Sequence, residues 1–139
     1  MVSCDKKSDK KAIENETCES NSKVNNDEFE MYEMSEMAVL MEQMYVDNQR
    51  LKERILKGET IGKFPQNFIK IHKAVMTDES DKDAFFDEQA VKFIKAQELI
   101  YQDQKNAKEH FNNGIDACIQ CHEVKCGGPI PKIKKLYIK

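Results

Sequence analysis

The sequence has no long apolar run, because no stretch approaches the roughly 18 to 20 residues that a membrane-spanning helix needs. We therefore expect any membrane contact to come from an attached anchor. The sequence also has no arginine-rich or aromatic-interleaved basic patch, and its formal net charge is −3. Since nucleic-acid sites need clustered positive charge, we do not expect nucleic acid as a partner.

Catalytic motifs are missing as well. The sequence contains no glycine-rich phosphate loop and no nucleophile motif with a base close by. Its many carboxylates fall on helix surfaces that are predicted to face solvent. We therefore predict that the protein is not an enzyme. With 139 residues, 40% of them hydrophobic and 34% charged, the chain can form one domain with a modest core.

The first 26 residues differ in composition from the rest. The letters "MVSC", ending at Cys4, resemble the end of a bacterial lipoprotein signal, and the segment that follows has almost no aliphatic residues. Such a segment cannot offset the entropy cost of folding, so residues 1–26 are predicted to be a disordered tether. We expect a bacterial protein that is periplasmic or lipid-anchored through Cys4 on the outer side of the membrane. A chance "VSC" is the alternative.

Residues 27–139 are predicted to form the folded domain. Helical spacing of apolar residues predicts a first helix from its N-cap Asp27 to residue 57, where Gly58 follows. A second, short helix is predicted from Pro65. Its apolar face carries Phe64, Phe68, Ile71 and Val75.

The C-terminal half is predicted to contain two more helices. The helical pattern runs from about Asp83 to Val124, which is too long for one ordinary helix, so we expect a turn within residues 103–106. The glycines and prolines that follow predict an extended C-terminal tail. The tail is expected to pack onto the helices through Ile130, Ile133, Leu136 and Ile138.

The segment "CIQCH" contains the candidate cofactor-binding residues of the sequence. Cys118, Cys121 and His122 lie at positions i, i+3 and i+4 of the last helix, so they project from about one face. A c-type haem has two vinyl groups that accept thiols as thioethers, and the adjacent histidine can reach the iron. C-x-x-C-H is that attachment signature. We therefore expect one covalent haem c, with Cys118 and Cys121 as thioether residues and His122 as an axial ligand.

Other metal or redox sites fit this segment less well. Zinc could use Cys118, Cys121 and either His122 or Cys126, but a second pair of ligands with zinc-like spacing is missing. An iron–sulfur cluster usually needs four cysteines. A thioredoxin-like pair would follow a strand, which the pattern does not predict. A zinc-stabilised helical interaction domain stays open as an alternative.

A helical chain of this size, with its single C-x-x-C-H motif close to the C-terminus, resembles the class II cytochromes c, of which cytochrome c-prime is the best-known type. The resemblance covers residues 27–124. It implies an all-α, antiparallel four-helix bundle with the haem slotted between helices and His122 as the proximal ligand. It also makes a homodimer formed through the first helix an open alternative.

The function implied by this resemblance depends on the distal residue, which the family takes from its first helix. A methionine there ligates the iron and the protein transfers electrons, whereas an apolar residue leaves a five-coordinate iron that binds gases such as nitric oxide. Met41 is the first candidate for the distal ligand or haem contact, with Met37 and Met44 as alternatives. Methionines at helical spacing are also common core residues, so that interpretation stays open.

The C-terminal region is basic, since residues 123–139 contain five lysines and one glutamate. Positive charge near a haem helps to attract an acidic redox partner. We therefore expect an extracytoplasmic monohaem cytochrome c that carries single electrons between redox partner proteins. A five-coordinate, gas-binding haem protein is the alternative function within the same family.

Overall fold

A computed structural model describes residues 33–139. The predicted tether of residues 1–26, the anchor at Cys4 and the predicted N-cap Asp27 lie outside the described residues. Throughout the described range every regular element is a helix, which confirms the predicted all-α class. No helix within this range is long and apolar enough to cross a membrane.

The first described helix, α1, spans Glu36–Lys57. Ser35 is its N-cap: the backbone there is extended, and the hydroxyl accepts a hydrogen bond from the backbone N–H of Ala38 at 3.1 Å. The predicted start of this helix at Asp27 is therefore wrong, because the extended backbone at Ser35 makes Glu36 the first helical residue. Its predicted end is confirmed, since Gly58 follows Lys57 with a positive φ of 70°.

The predicted second helix is present after Pro65, but it is a 3₁₀ helix that ends before Val75. The chain forms a 3₁₀ helix, Gln66–His72, directly after Pro65. Phe68 and Ile71 of this segment are buried, but Val75 is 52% exposed. The backbone of Val75 binds the start of α1 instead of continuing a helix. Its carbonyl accepts from the Met37 N–H at 2.9 Å, and its N–H donates to the Glu36 carboxylate at 3.0 Å.

Two longer helices follow, and the turn between them is confirmed. Helix α2 spans Ala84–Gln102 with Asp83 as N-cap, and helix α3 spans Ala107–Lys125. A 3₁₀ turn, Gln104–Asn106, separates them where Asp103 leaves the helical conformation. The Asp103 carboxylate accepts hydrogen bonds from Asn106 and His110, both at 2.9 Å, which fixes this turn.

The predicted extended tail is wrong, because residues Ile130–Lys134 form a short helix, α4. Pro129 precedes it, and the Pro129 carbonyl accepts from the Ile133 N–H at 2.9 Å. The predicted packing of this segment is confirmed: Ile133, Leu136 and Ile138 are buried, and Ile130 is partly buried against the same core.

The core consists of two clusters of buried side chains. One contains Phe68, Phe86 and Phe93 with the buried methionines of α1, and the other contains Phe111 and Ile115 with the C-terminal segment. Cys118 packs against both clusters. The C-x-x-C-H segment therefore lies where the two halves of the core meet.

Candidate functional site

The C-x-x-C-H segment forms the last turns of α3, as predicted. This helix places Ala117 and Ile119 in the core, so the neighbouring Cys118 is also turned towards the interior. Cys121 is half-buried one turn later, and His122 is partly exposed beside it. The side chains of the motif therefore line the interior at one end of α3.

These side chains border a cavity of about 110 Å³. All the long helices and the C-terminal segment contribute to its wall, which is mainly apolar. Helix α3 contributes Ala117, Cys118, Cys121 and His122. Residues of α1 in the wall include Met41, Met44, Tyr45 and Asn48, and those of α2 are Phe86, Gln89, Ala90 and Phe93. The C-terminal segment contributes Pro129, Lys132, Ile133 and Leu136.

The ring of His122 is fixed by the turn that follows α3. Its Nδ1 lies 2.7 Å from the backbone carbonyl oxygen of Cys126. Since a carbonyl can only accept, Nδ1–H is the donor, and in a neutral ring Nε2 then carries the lone pair. The backbone N–H of Cys126 in turn donates to the His122 carbonyl at 3.2 Å. His122 therefore presents Nε2 as a free ligand atom with a fixed tautomer.

Both thiols of the motif are held in their neutral form. Burial raises the pKa of Cys118 to about 12, and the neighbouring Cys121 adds to this effect. Burial also raises the pKa of Cys121, although the positive charge of Lys125 acts in the opposite direction. Redox-active C-x-x-C pairs have a lowered thiol pKa instead. The environment of this pair therefore does not favour a thioredoxin-like activity.

Lys125 connects the motif to the start of α2. Its ammonium group pairs with the carboxylate of Asp83, the N-cap of α2, and the hydrogen bond from Lys125 lowers the pKa of Asp83. The same carboxylate accepts from the backbone N–H of Phe86 at 2.9 Å. Phe86 is itself a wall residue of the cavity. The pair therefore links the ends of two helices that form the site.

The methionine candidates occupy different places. Met41 and Met44 of α1 line the cavity together with the C-x-x-C-H side chains. Met44 is buried and Met41 is partly buried. Met37 is also buried but belongs to the core cluster beside the cavity. Of the three candidates, Met41 and Met44 are therefore the ones that the fold brings together with His122.

Lys132 of α4 lies at the rim of the cavity. Its ammonium nitrogen is 2.9 Å from a carboxylate oxygen of Glu42 and 4.3 Å from the centre of the Tyr45 ring. Glu42 and Tyr45 are cavity residues of α1. Lys132 therefore joins the C-terminal segment to α1 across the mouth of the site.

The C-terminal segment is held over the site by further hydrogen bonds. Both the side-chain oxygen and nitrogen of Asn112 bind the backbone of Ile138, at 2.9 Å each. Lys52 donates to the carbonyls of Lys135 at 2.8 Å and Tyr137 at 2.9 Å. The segment is thus a fixed wall of the cavity. Its apolar spacing indicated packing, but sequence reasoning did not place it at the site.

Gln89 is a cavity residue that sequence reasoning missed. It is 5% exposed, and its side-chain oxygen Oε1 has no hydrogen-bond partner. Glutamine usually lies at the surface, so its position within the apolar stripe of α2, between Phe86 and Ala90, was the available signal. A buried oxygen without a hydrogen-bond partner calls for a physical reason.

A ready-made metal cluster is not part of this arrangement. Within residues 33–139, no three histidine, cysteine or acidic side chains come together in a way that could hold a metal ion.

Comparisons of the chain with models of protein families, with curated proteins and with solved structures found no match.

Proposed function

We propose that this protein is an extracytoplasmic, monohaem c-type cytochrome that carries single electrons between redox partner proteins. The observation that supports this proposal most directly is the meeting of Cys118, Cys121, His122 and Met41 in the wall of one cavity. The motif predicts the two thioether residues and the adjacent histidine ligand, and the resemblance to class II cytochromes c implies the candidate distal ligand.

The residues of the cavity fit a covalent haem. Its iron would supply a centre that is oxidised and reduced by one electron. Cys118 and Cys121 would hold it through thioether bonds, and His122 would bind the iron through Nε2, because Nδ1 is already engaged with the Cys126 carbonyl. The apolar wall would exclude water, and Met41 would supply the thioether sulfur that raises a reduction potential.

The size of the cavity bears on how it would be filled. Sites for drug-sized ligands have volumes of roughly 300 to 1,000 Å³, whereas this cavity has about 110 Å³. Haem attachment would therefore require the wall of the cavity to open. Moving the C-terminal segment would break its hydrogen bonds to Asn112 and Lys52 as well as the exposed Lys132–Glu42 pair.

The finer fold and location are part of the same proposal. We propose an antiparallel four-helix bundle of the cytochrome c-prime type, to which the 3₁₀ segment and α4 are added. A lipid anchor at Cys4 would hold it outside the cytoplasmic membrane, where c-type haem attachment takes place. The basic C-terminal residues would attract an acidic redox partner.

Gas binding at a five-coordinate haem is a second candidate function. One observation favours it: Gln89 places a hydrogen-bonding amide in the cavity wall. The polarity of the distal pocket decides between ligand binding and electron transfer at a haem. A structural zinc site is favoured less, because within residues 33–139 no three histidine, cysteine or acidic side chains come together as ligands for a metal ion.

An absorption spectrum of the oxidised and reduced protein, produced in a host with the c-type maturation machinery, tests the proposal. A Soret band with sharp reduced α and β bands is expected for six-coordinate electron transfer. Broad, merged bands would favour the gas-binding alternative. A protein that has no Soret band and contains zinc on metal analysis would not be a cytochrome.

A further inference from the structure

A second pocket lies along α1. Its volume is about 220 Å³, and its wall is formed by α1, by the loop of residues 61–65 and by the start of the 3₁₀ helix and the end of α2. Of the described residues, Asn48 alone borders both this pocket and the cavity of the C-x-x-C-H motif. The pocket therefore shares almost none of its wall with the proposed haem site.

Positive charge is concentrated in this pocket. Arg50 and Arg54 are the two arginines of the sequence, they lie one turn apart on α1, and both border the pocket. Lys63 borders it from the loop, where Gly62 turns the chain with a φ of 79°. Asp47 is the one acidic residue of the wall, so three positive charges and one negative charge give a local charge of +2. Such a field attracts anions, although the whole chain has a net charge of −3.

The two arginines are not neutralised by neighbouring acids. Within residues 33–139 neither of them takes part in an ion pair, whereas Lys92, Lys125 and Lys132 do. The carboxylate of Asp47 accepts a hydrogen bond from the side-chain amide of Gln43 at 3.1 Å, one turn earlier on α1. Both guanidinium groups therefore keep their charge and their N–H donors for a ligand.

The rest of the wall supports binding of an anion. Leu51, Ile61 and Phe68 are buried and give the pocket apolar sides, and hydrogen bonds to charged groups are stronger where polarity is low. Tyr101 is partly buried, and burial raises the pKa of its hydroxyl. The charge of Arg54 acts on this pKa in the opposite direction, so the guanidinium lies near the phenol. The neutral hydroxyl adds another donor to the wall.

We propose that this pocket binds a small divalent oxyanion, either a phosphate or a dicarboxylate, through Arg50, Arg54 and Lys63. A guanidinium group offers parallel N–H donors that match the oxygens of a carboxylate or a phosphate. The volume of about 220 Å³ is smaller than the roughly 300 to 1,000 Å³ of sites for drug-sized molecules, so it suits a small anion. This binding site is additional to the proposed haem site and does not use the iron.

Isothermal titration calorimetry of the full-length protein tests the proposal. The probes are inorganic phosphate and succinate, each titrated at neutral pH and constant ionic strength. Saturable binding of at least one of them is expected at millimolar concentrations, and acetate, which carries a single charge, should bind more weakly. Binding of phosphate without succinate would assign the site to phosphate ligands, and the reverse result would assign it to dicarboxylates.

Four variants show whether the pocket is the binding site. Arg50→Gln and Arg54→Gln are each expected to weaken binding about tenfold, which corresponds to about 1.4 kcal/mol for a charge-assisted hydrogen bond. Lys57→Gln is the matched control, because it removes the same charge from the same helix but Lys57 does not border the pocket. Its affinity should stay close to that of the parent. Asp47→Asn should strengthen binding, since it removes the negative charge of the wall, and a variant that merely loosened the fold would not do so.

Three results would overturn the inference: no saturable binding of phosphate or succinate by the parent, equal weakening in Lys57→Gln and the arginine variants, or no gain of affinity in Asp47→Asn. Equal weakening would mean that the overall charge of the protein attracts the anion. Circular dichroism of each variant checks that it is folded. The titrations measure heat and need no haem spectrum, so failure of this proposal is distinguishable from failure of the proposed function.

Discussion

His122 and Cys126 are joined twice: the imidazole Nδ1 lies 2.7 Å from the Cys126 carbonyl oxygen, and the Cys126 N–H donates to the His122 carbonyl at 3.2 Å. Both contacts on the Cys126 side use the backbone. The side chain of Cys126 is exposed and its thiol is free. The backbone turn therefore orients the imidazole whatever side chain occupies position 126.

Replacing His122 should remove the proximal ligand while leaving covalent attachment possible. His122→Gly is expected to lose the low-spin absorption spectrum, and added imidazole should restore it by entering the space of the lost ring. Cys126→Ala is the matched control and should keep the parent spectrum. A changed spectrum in Cys126→Ala would mean that the thiol itself acts at the site.

Covalent attachment should depend on the two cavity thiols. The double variant Cys118→Ala, Cys121→Ala is expected to lose all haem on a denaturing gel stained for haem, because no thioether bond can form. Cys126→Ala should keep the stained band, since its side chain lies outside the cavity wall. Haem that survives denaturation in the double variant would contradict the attachment proposed here.

The methionines of α1 provide a matched pair for the sixth ligand. Met41 lines the cavity, whereas Met37, one turn earlier, is buried in the adjoining core. Met41→Ala should change a six-coordinate low-spin spectrum into a five-coordinate one, and the reduction potential should fall. Met37→Ala should keep the spectrum but lower stability by about 2 to 5 kcal/mol, the usual cost of truncating a buried methionine.

A different outcome would reassign the ligand. If Met41→Ala keeps the low-spin spectrum and Met44→Ala loses it, the neighbouring cavity methionine ligates the iron. If neither variant changes the spectrum, Met41 and Met44 only pack in the cavity wall and do not bind iron. The prediction that a methionine of α1 ligates the iron would then be wrong.

The sequence predicted the helices best where local signals agreed. Asp83 is an N-cap whose carboxylate accepts from Phe86, and Gly58 ends α1 in the left-handed conformation that glycine favours. Both boundaries depend on residues within the same turn. The position of Cys118, Cys121 and His122 on one helix face follows from the same local geometry.

Features that depend on distant residues were not predicted. The 3₁₀ segment ends at His72, and the backbone of Val75 binds Glu36 and Met37, 39 and 38 residues away in sequence. Helix α4 was not predicted, although the apolar spacing of the C-terminal segment indicated that it packs onto the core. Glutamine is usually a surface residue, so the burial of Gln89 was not predicted although it lies within the apolar stripe of α2.

Two glycines give opposite expectations for stability. At Gly114, inside α3, an added Cβ would lie 3.6 Å from the Cβ of Ala96, an ordinary contact distance. Gly114→Ala should therefore stabilise the protein by about 0.5 to 1 kcal/mol, the helix-propensity difference. Gly58→Ala should destabilise it by about 1 kcal/mol, because φ there is 70°. Urea unfolding of both variants measures the two free energies.

The Asp83–Lys125 pair should make stability depend on pH in the acid range. The hydrogen bond from Lys125, followed by that from the Phe86 N–H, holds the pKa of Asp83 below its usual value. A lowered folded-state pKa contributes stability that is fully present above the unfolded-state pKa of about 3.9 and is lost as pH falls through the folded-state value. The contribution should therefore be constant near neutral pH and disappear at acid pH.

Asp83→Asn isolates this charge, because asparagine is also a good N-cap and keeps the hydrogen bond to Phe86. The variant should unfold at a lower temperature than the parent at pH 7, and the difference should shrink at pH 3. Glu88→Gln is the matched control, since Glu88 forms an exposed pair with Lys92 on the same helix. An Asp83→Asn difference that is as large at pH 3 as at pH 7 would show that the charge on Asp83 does not stabilise the helix junction.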